Sequence, residues 1–412
     1  MDRIAFYTKE AQSVAETGLP ESLVVELILK HIYFAGSITL ATLAQQTKLS
    51  PSVIHSLFRQ IQKEQLCETK GMVGEDYQIT LTSRGRSMAD VAIGKSHYAG
   101  PAPVSLEQYK RLVTKQAAHV NLTHESLKSA LGDLVLTDEI IADLGTALVS
   151  GGALLFYGAT GNGKTSIAER LHRVFNDMVC IPYAVEIAGQ IVTVFDPLLH
   201  RPEKKQDDTP DRRWVLCRRP LVKVGGEMRI EMLEPRVDEH TRICVGPLQM
   251  KANNGILLID DFGRQHITPR ELLNRWIVPL DRRTDVLSLW TGLSFEIPFE
   301  ILVAFATNLP LSDLAEDAFL RRMKNKIKID APSPETFREI VRRTCQEKKL
   351  ACASGAEDYL LQQCAHYSTA GLRACFPGDV TAIVCGIAEF ERRTPELNKA
   401  DIDRAMRVYF AH

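Results

Sequence analysis

Apolar residues fall at three- and four-residue spacing through LPESLVVELILKHIYFAG (19–36), predicting a helix entered near Pro20 and closed at Gly36. ITLATLAQQTKLSPSVIHSLFRQIQKEQL (38–66) reads as a short helix, a turn at Leu49-Ser50-Pro51 and a second, amphipathic helix. YQITLTSRGRSMADVAI (77–93) alternates like a strand and turns near Gly85 into another helical stretch. Residues 94–124, with GPAPVSLEQY inside them, read as a Pro/Gly-bearing linker and a connecting helix. From residue 125 onward apolar strands alternate with helical patterns, the signature of a parallel α/β sheet. The pattern divides the chain into a module at 1–100, a linker at 101–124, an α/β domain at 125–330 with a long excursion at 185–254, and a mostly helical segment at 331–412.

The order helix, helix-turn-helix, strand pair in the first module resembles a winged-helix domain. In that reading His55, Arg59 and Lys63 lie on the second helix of the turn, where DNA would be read. Residues 19–100 carry eight Lys/Arg against seven Asp/Glu, a weak basis for gripping phosphates, so docking of a protein client or adaptor is favoured and nucleic acid is the alternative partner. The whole chain, 412 residues at net charge −1, is no polyanion binder overall. Its nine cysteines form no CxxC pair, which fits structural thiols in a reduced compartment. No signal-like opening and no apolar run near 18 residues is seen, so a cytoplasmic protein without membrane insertion is expected.

The chemistry-bearing stretch is ALLFYGATGNGKTSIAERL (153–171), an apolar strand, a glycine loop and a helix start. Gly158, Gly163, Lys164 and Thr165 match GxxxxGK(S/T), with Ala159, Thr160, Gly161 and Asn162 between and Ser166 after. Glycines let the backbone curl so that successive N–H groups and the helix N-terminus face phosphates. Lys164 would reach the β/γ-phosphates of ATP, and the Thr165 hydroxyl would ligate Mg²⁺. Later, GILLIDDFGRQ (255–265) runs four apolar residues into Asp260 and Asp261. Asp260 would hold the metal shell and Asp261 would polarise the attacking water; the other reading of Asp261 is a helix cap. Such sites more often carry glutamate, and aspartate stands back by roughly 1 Å, a misplacement that can cost about a hundredfold in rate. A slowed hydrolase and a nucleotide-dependent switch both remain open from the residues.

With these motifs, residues 125–412 resemble the AAA+ ATPases, and the fold class implied is a P-loop core of parallel sheet flanked by helices with a C-terminal helical lid. The resemblance implies a homo-oligomeric ring, most often a hexamer, with ATP and Mg²⁺ at subunit interfaces. ALGDLVLTDEIIADL (130–144) is similar to the segment that cups the adenine. EILVAFATNLP (300–310) places Asn308, after Thr307, at the sensor-1 position that orients the water. DAFLRRMKNKIKI (317–329) offers Arg322, with Arg321 in reserve, as the finger supplied to the adjacent subunit; a solvated basic face is the other reading. The lid helix expected to begin near Asp379 has Gly378 where the family has its sensor-2 arginine, with Arg373 nearby as a substitute. DVLSLW and LSFEIPF, flanking Thr291-Gly292, resemble the hairpin before sensor 1 in MoxR-like members. In the excursion, RRWVLCRRPLVK sets Arg212, Arg213, Arg218, Arg219 and Lys223 around Trp214. That strip could grip single-stranded nucleic acid, but pairing with Glu227, Glu231 and Glu234 is favoured because 201–242 holds eleven Lys/Arg and nine Asp/Glu. Val194 and Phe195 are the weakest candidates, as client-gripping pore residues or as packed core.

Overall fold

The computed structural model describes residues 8–117, 122–203, 209–314, 323–369 and 371–410. Its centre is a five-stranded parallel sheet of β1 (Leu154–Tyr157), β2 (Leu221–Val224), β3 (Ile256–Ile259), β4 (Leu302–Thr307) and β5 (Asn325–Lys328), in the order β5-β1-β4-β3-β2. Every residue of β3 is fully buried, as expected where helices cover both faces. Alternation assigns the faces. Leu155, Val222, Leu257, Ile259 and Phe305 turn toward Trp276 of the helix Pro269–Arg282. Leu154, Phe156, Leu258 and Ala304 turn toward Ile167 of the helix Lys164–Arg170 and Leu144 of the helix Asp138–Ser150. The expected α/β P-loop core, a parallel sheet flanked by helices, is thus the observed fold.

The excursion differs from expectation in one respect that matters for the site: it contains β2, so the second core strand is Leu221–Val224. Four short strands in and at the start of the excursion join Val104–Ser105 in a mixed sheet in the order Arg236–Val237, Cys244–Val245, Gln190–Thr193, Ala184–Ile187, Val104–Ser105, while Trp214–Arg218 pairs separately with Met178–Pro182. The segment 101–124 is therefore not a plain linker. Val104 and Ser105 pair in parallel with Val185 and Glu186, and the helix Leu106–Lys115 starts on a capping box of Ser105 and Gln108. Tyr109, Leu112 and Val113 on that helix are buried among Val185, Val192 and Trp214. Pro101 and Pro103 mark an entry into structure here.

At the N-terminus the helix Glu21–Ala35, the strand Ser37–Thr39, the helices Leu40–Thr47 and Pro51–Lys63, and the hairpin Cys67–Val73/Asp76–Leu81 follow in order. Ser50 caps the second helix of the turn through Val53 N, and Thr82 caps the following helix Ser83–Lys95 through Gly85 N. This module is not tethered loosely: Ala184, Ile191 and Ile243 of the excursion pack into its core. The hairpin Thr284–Ser288/Ser294–Pro298 forms as expected around Thr291-Gly292. Helices Pro334–Glu347, Ala356–Tyr367, Phe376–Phe390 and Lys399–Tyr409 enclose a separate core at the C-terminus. Among the described residues no helix is long and apolar enough to cross a membrane.

Candidate nucleotide-binding site

The glycine loop leaves β1 through backbone that side chains seldom adopt. Gly158, Gly161 and Gly163 have φ of 133°, 81° and 89°. A Cβ on Gly158 would lie 2.4 Å from Ile329 O, and one on Gly161 would lie 2.7 Å from Cys375 Sγ. The loop is thus fixed from below by the chain leaving β5 and from above by the C-terminal helical unit. Lys164 opens the following helix, and its buried ammonium folds back to donate to Gly158 O at 2.9 Å and Ala159 O at 2.8 Å. Burial lowers its pKa, while the nearby Asp261 and Asp260 act in the opposite direction.

Asp260 follows β3 and is the hub of the acidic end. Its Oδ1 accepts from the Thr165 hydroxyl at 2.7 Å and from Asp261 N at 3.1 Å. Asp261 is exposed, with a φ of 48° that aspartate tolerates better than most residues. It caps no helix, because the next one starts at Pro269 with Thr268 as its cap. Phe262 N donates to Ala306 O at 2.7 Å and the Thr307 hydroxyl donates to Phe262 O at 2.8 Å, tying the acidic loop to the end of β4. Asn308 follows that end directly and is half-buried; Ala306 lines the cavity described next, and Asn308 does not.

Gly161, Lys164, Thr165, Asp260, Asp261 and Ala306 share one cavity of about 400 Å³, within the range of small-molecule sites. Its lining includes Leu134, Val135 and Leu136, from the segment expected to cup a base, and Ile340 of the helix Pro334–Glu347. Asp133 pins that segment to the glycine-loop helix through Arg170 at 2.6 Å and Arg173 at 2.8 Å, and Arg343 donates to Gly132 O at 2.9 Å. Cys375 N donates to Gly161 O at 2.9 Å and Ala374 N to Asn162 Oδ1 at 3.4 Å. Asn162 Nδ2 and Arg373 Nε are buried there without a partner among the described residues. Gly161→Ala is expected to raise the Kd for nucleotide about tenfold or more, because the loop must move to admit a methyl at φ 81°; titration with a fluorescent ATP analogue reads it.

Several expectations are corrected. The lid helix begins at Phe376, not near Asp379, since Pro377 sits comfortably in a first helical turn. Gly378 therefore lies inside the helix, where its carbonyl accepts from Lys348 Nζ at 2.7 Å, and Arg373 lies two residues before the cap, its guanidinium 5.8 Å from the Phe376 ring centroid. In the basic strip Arg218 is exposed and Arg212 half-buried. Arg213 pairs with Asp211, Arg219 with Asp177 and Lys223 with Glu169, so internal pairing holds but with other acids than expected. Glu234 instead binds Arg275, and Glu227 binds Gly225 N. Val194 is buried, and Phe195 packs on Tyr183 and His200 at ring distances of 5.4 and 5.5 Å, so the pair is packed core. His55, Arg59 and Lys63 are exposed on the outer face of their helix. Arg321 and Arg322 lie outside the described residues.

Two contributors were missed from sequence. Gln265 donates to Asp260 O at 2.7 Å and Asp261 O at 3.1 Å while accepting from Gly263 N at 2.8 Å, bracing the acidic turn. Lys223 on β2 lies 3.1 Å from Asp260 Oδ2. The first has no signal beyond its spacing from the acids; the second needed β2 to be located.

Among known proteins, a family model described as a domain of unknown function (DUF8689) matches residues 333–408. No curated protein matches the chain. A solved structure of Thermotoga maritima RuvB, described as a Holliday junction branch migration motor, is similar at 13% identity and a TM-score of 0.38, covering 74% of this chain and 71% of that one. NtrX from Brucella abortus is similar at 13% identity and a TM-score of 0.40, covering 77% of this chain and 59% of that one. Identity and TM-score are both low, so the chemistry is carried by the site's own residues.

Proposed function

We propose that this chain is an ATP hydrolase of the AAA+ type, working as a ring that remodels a protein partner. The observation that carries the reading is the convergence of Lys164, the Thr165–Asp260 pair and Asp261 in one cavity, closed by the C-terminal helices. The residues fit a magnesium nucleotide: a cradle where a Cβ would clash, a buried ammonium held by carbonyls alone, and the unpartnered amide of Asn162. Magnesium commonly takes few protein ligands beside phosphate and water, and Thr165 and Asp260 are the two offered. When bound, Mg²⁺ would neutralise charge on the transferred phosphoryl group. Lys164 would turn from its carbonyls to the phosphates, Asp260 would keep Thr165 oriented, and Asp261 would position water, with Asn308, just outside the cavity lining at the end of β4, as the second candidate for that role. Leu134–Leu136 and Ile340 would shelter the base, and helix Pro334–Glu347 would couple nucleotide occupancy to the lid. Arg322, with Arg321 in reserve, would complete the site of the adjacent subunit.

The partner is a protein. The outer face around Arg59 also carries Glu64, and Met72, Val73 and Tyr77 on the hairpin are exposed apolar residues, a surface suited to docking a client or adaptor. With β2 at Leu221–Val224, the loop after the second core strand is the segment starting at Gly225, and its exposed Ile230 replaces Val194 and Phe195 as the client-contact candidate.

Asp261→Asn is expected to lower phosphate release about a hundredfold while ATP-analogue binding stays within about threefold of wild type. Equal, background-level release from both proteins would replace the hydrolase with a nucleotide-dependent assembly switch.

A further inference from the structure

Lys223 holds a position that the proposed mechanism does not use. Alternation along β2 turns Val222 and Val224 to the far face of the sheet and leaves Lys223 on the face of the glycine-loop helix. Its register partner on β3 is Leu258, two residues before Asp260 and on the same face. Glu169 stands four residues after Thr165 on the glycine-loop helix, and so faces the same way. The Lys223 ammonium bridges the two acids, at 2.8 Å from Glu169 Oε1 and 3.1 Å from Asp260 Oδ2. Asp260 Oδ1 is already committed to Thr165 and Asp261 N, so Lys223 occupies the remaining oxygen.

We propose that Lys223 is a positioning residue that competes with the divalent cation for Asp260, with Glu169 drawing the ammonium aside, so that the pair sets the magnesium demand of the site. This rests on the nucleotide reading above and adds a control to it. A cation arriving at Thr165 and Asp260 meets a positive charge on the same carboxylate. The two acids share one ammonium, and Lys223 can give up Asp260 while keeping Glu169.

Opposite signs follow from the two partners. In Lys223→Met the competitor is gone, and the magnesium concentration giving half-maximal binding of a fluorescent N-methylanthraniloyl-ATP is expected to fall about tenfold, a figure already reduced for solvent screening. In Glu169→Gln the ammonium rests on Asp260 alone, and the half-maximal magnesium concentration is expected to rise about threefold or more. Lys223→Arg keeps the charge and should stay within about twofold of wild type. The titrations use the full chain, with a thermal melt of each variant to establish that it is folded. A half-point that is unchanged or higher in Lys223→Met overturns the competition, and so does one that falls in Glu169→Gln. Failure of the wild type to bind the analogue at any magnesium concentration overturns the nucleotide reading itself, a separate result.

Discussion

Lys164→Ala is expected to reduce ATP-analogue binding at least about a hundredfold and to bring phosphate release to background, with little change in thermal stability. Lys164 is only 8% exposed, yet among the described residues it holds no carboxylate: its hydrogen bonds are to Gly158 O and Ala159 O of its own loop. Burial already works against its charge, as the lowered pKa shows, so folding gains little from it. An ammonium held this way is poised for an anionic ligand. Trading two carbonyls for phosphate oxygens strengthens the interaction in a site that excludes water. The variant also tests the site without relying on the ring, because binding by a single subunit needs no finger from a neighbour. Binding within about threefold of wild type would remove phosphate recognition from the glycine loop. Loss of binding accompanied by a collapse of the melting temperature would show a structural lysine instead.

The parts of this site legible in sequence were those written in local pattern. The glycine loop, its strand and its helix lie within 153–171, and β3 announces itself by four apolar residues before two acids. The parts that were not legible depend on distant pairing. β2 is four residues long and carries a lysine in its middle, so nothing in LVKV distinguishes it from an excursion hairpin until Leu221–Val224 is aligned with Ile256–Ile259. Lys223, and with it the environment of Asp260, was hidden for that reason. In the segment 101–124 the expected connecting helix forms, with Tyr109, Leu112 and Val113 at the spacing of a buried helical face, while the turn signal of Pro101 and Pro103 hid the short strand Val104–Ser105 before it. The early start of the helix Phe376–Phe390 was masked by Pro377, a residue that ends helices from inside and begins them at the first turn. In the excursion, charge counting suggested internal pairing but could not choose partners: Asp177 reaches Arg219 through tertiary packing, and Asp211 reaches Arg213 from two residues away across a local turn.

The largest expected loss of stability is at one of those hidden pairs. Arg213→Ala is expected to destabilise the protein by about 3–5 kcal/mol, the cost of leaving a buried charge without its partner. Arg213 is 1% exposed and Asp211 4%. The guanidinium donates to Asp211 Oδ2 at 2.8 Å and also to Thr17 O and Pro103 O, both at 3.0 Å. One side chain from the excursion thereby ties down the start of the N-terminal module and the entry to the strand Val104–Ser105. Removing it strands the Asp211 carboxylate and two carbonyls together. At about 2–4 °C per kcal/mol for a domain of 150–250 residues, the melting temperature should fall by about 6–20 °C, which calorimetry would read. Arg213→Lys is expected to recover little, because a single ammonium cannot reproduce a planar fork that serves a carboxylate and two carbonyls at once. The double variant Asp211→Leu/Arg213→Met should recover much of the loss, since it removes both charges and restores apolar volume. A fall of less than about 1 kcal/mol in Arg213→Ala would mean that water reaches Asp211, and that the N-terminal module is held to the excursion by its apolar contacts and by the hydrogen bonds of Arg242 to Gly94 O and of His97 N to Thr241 O.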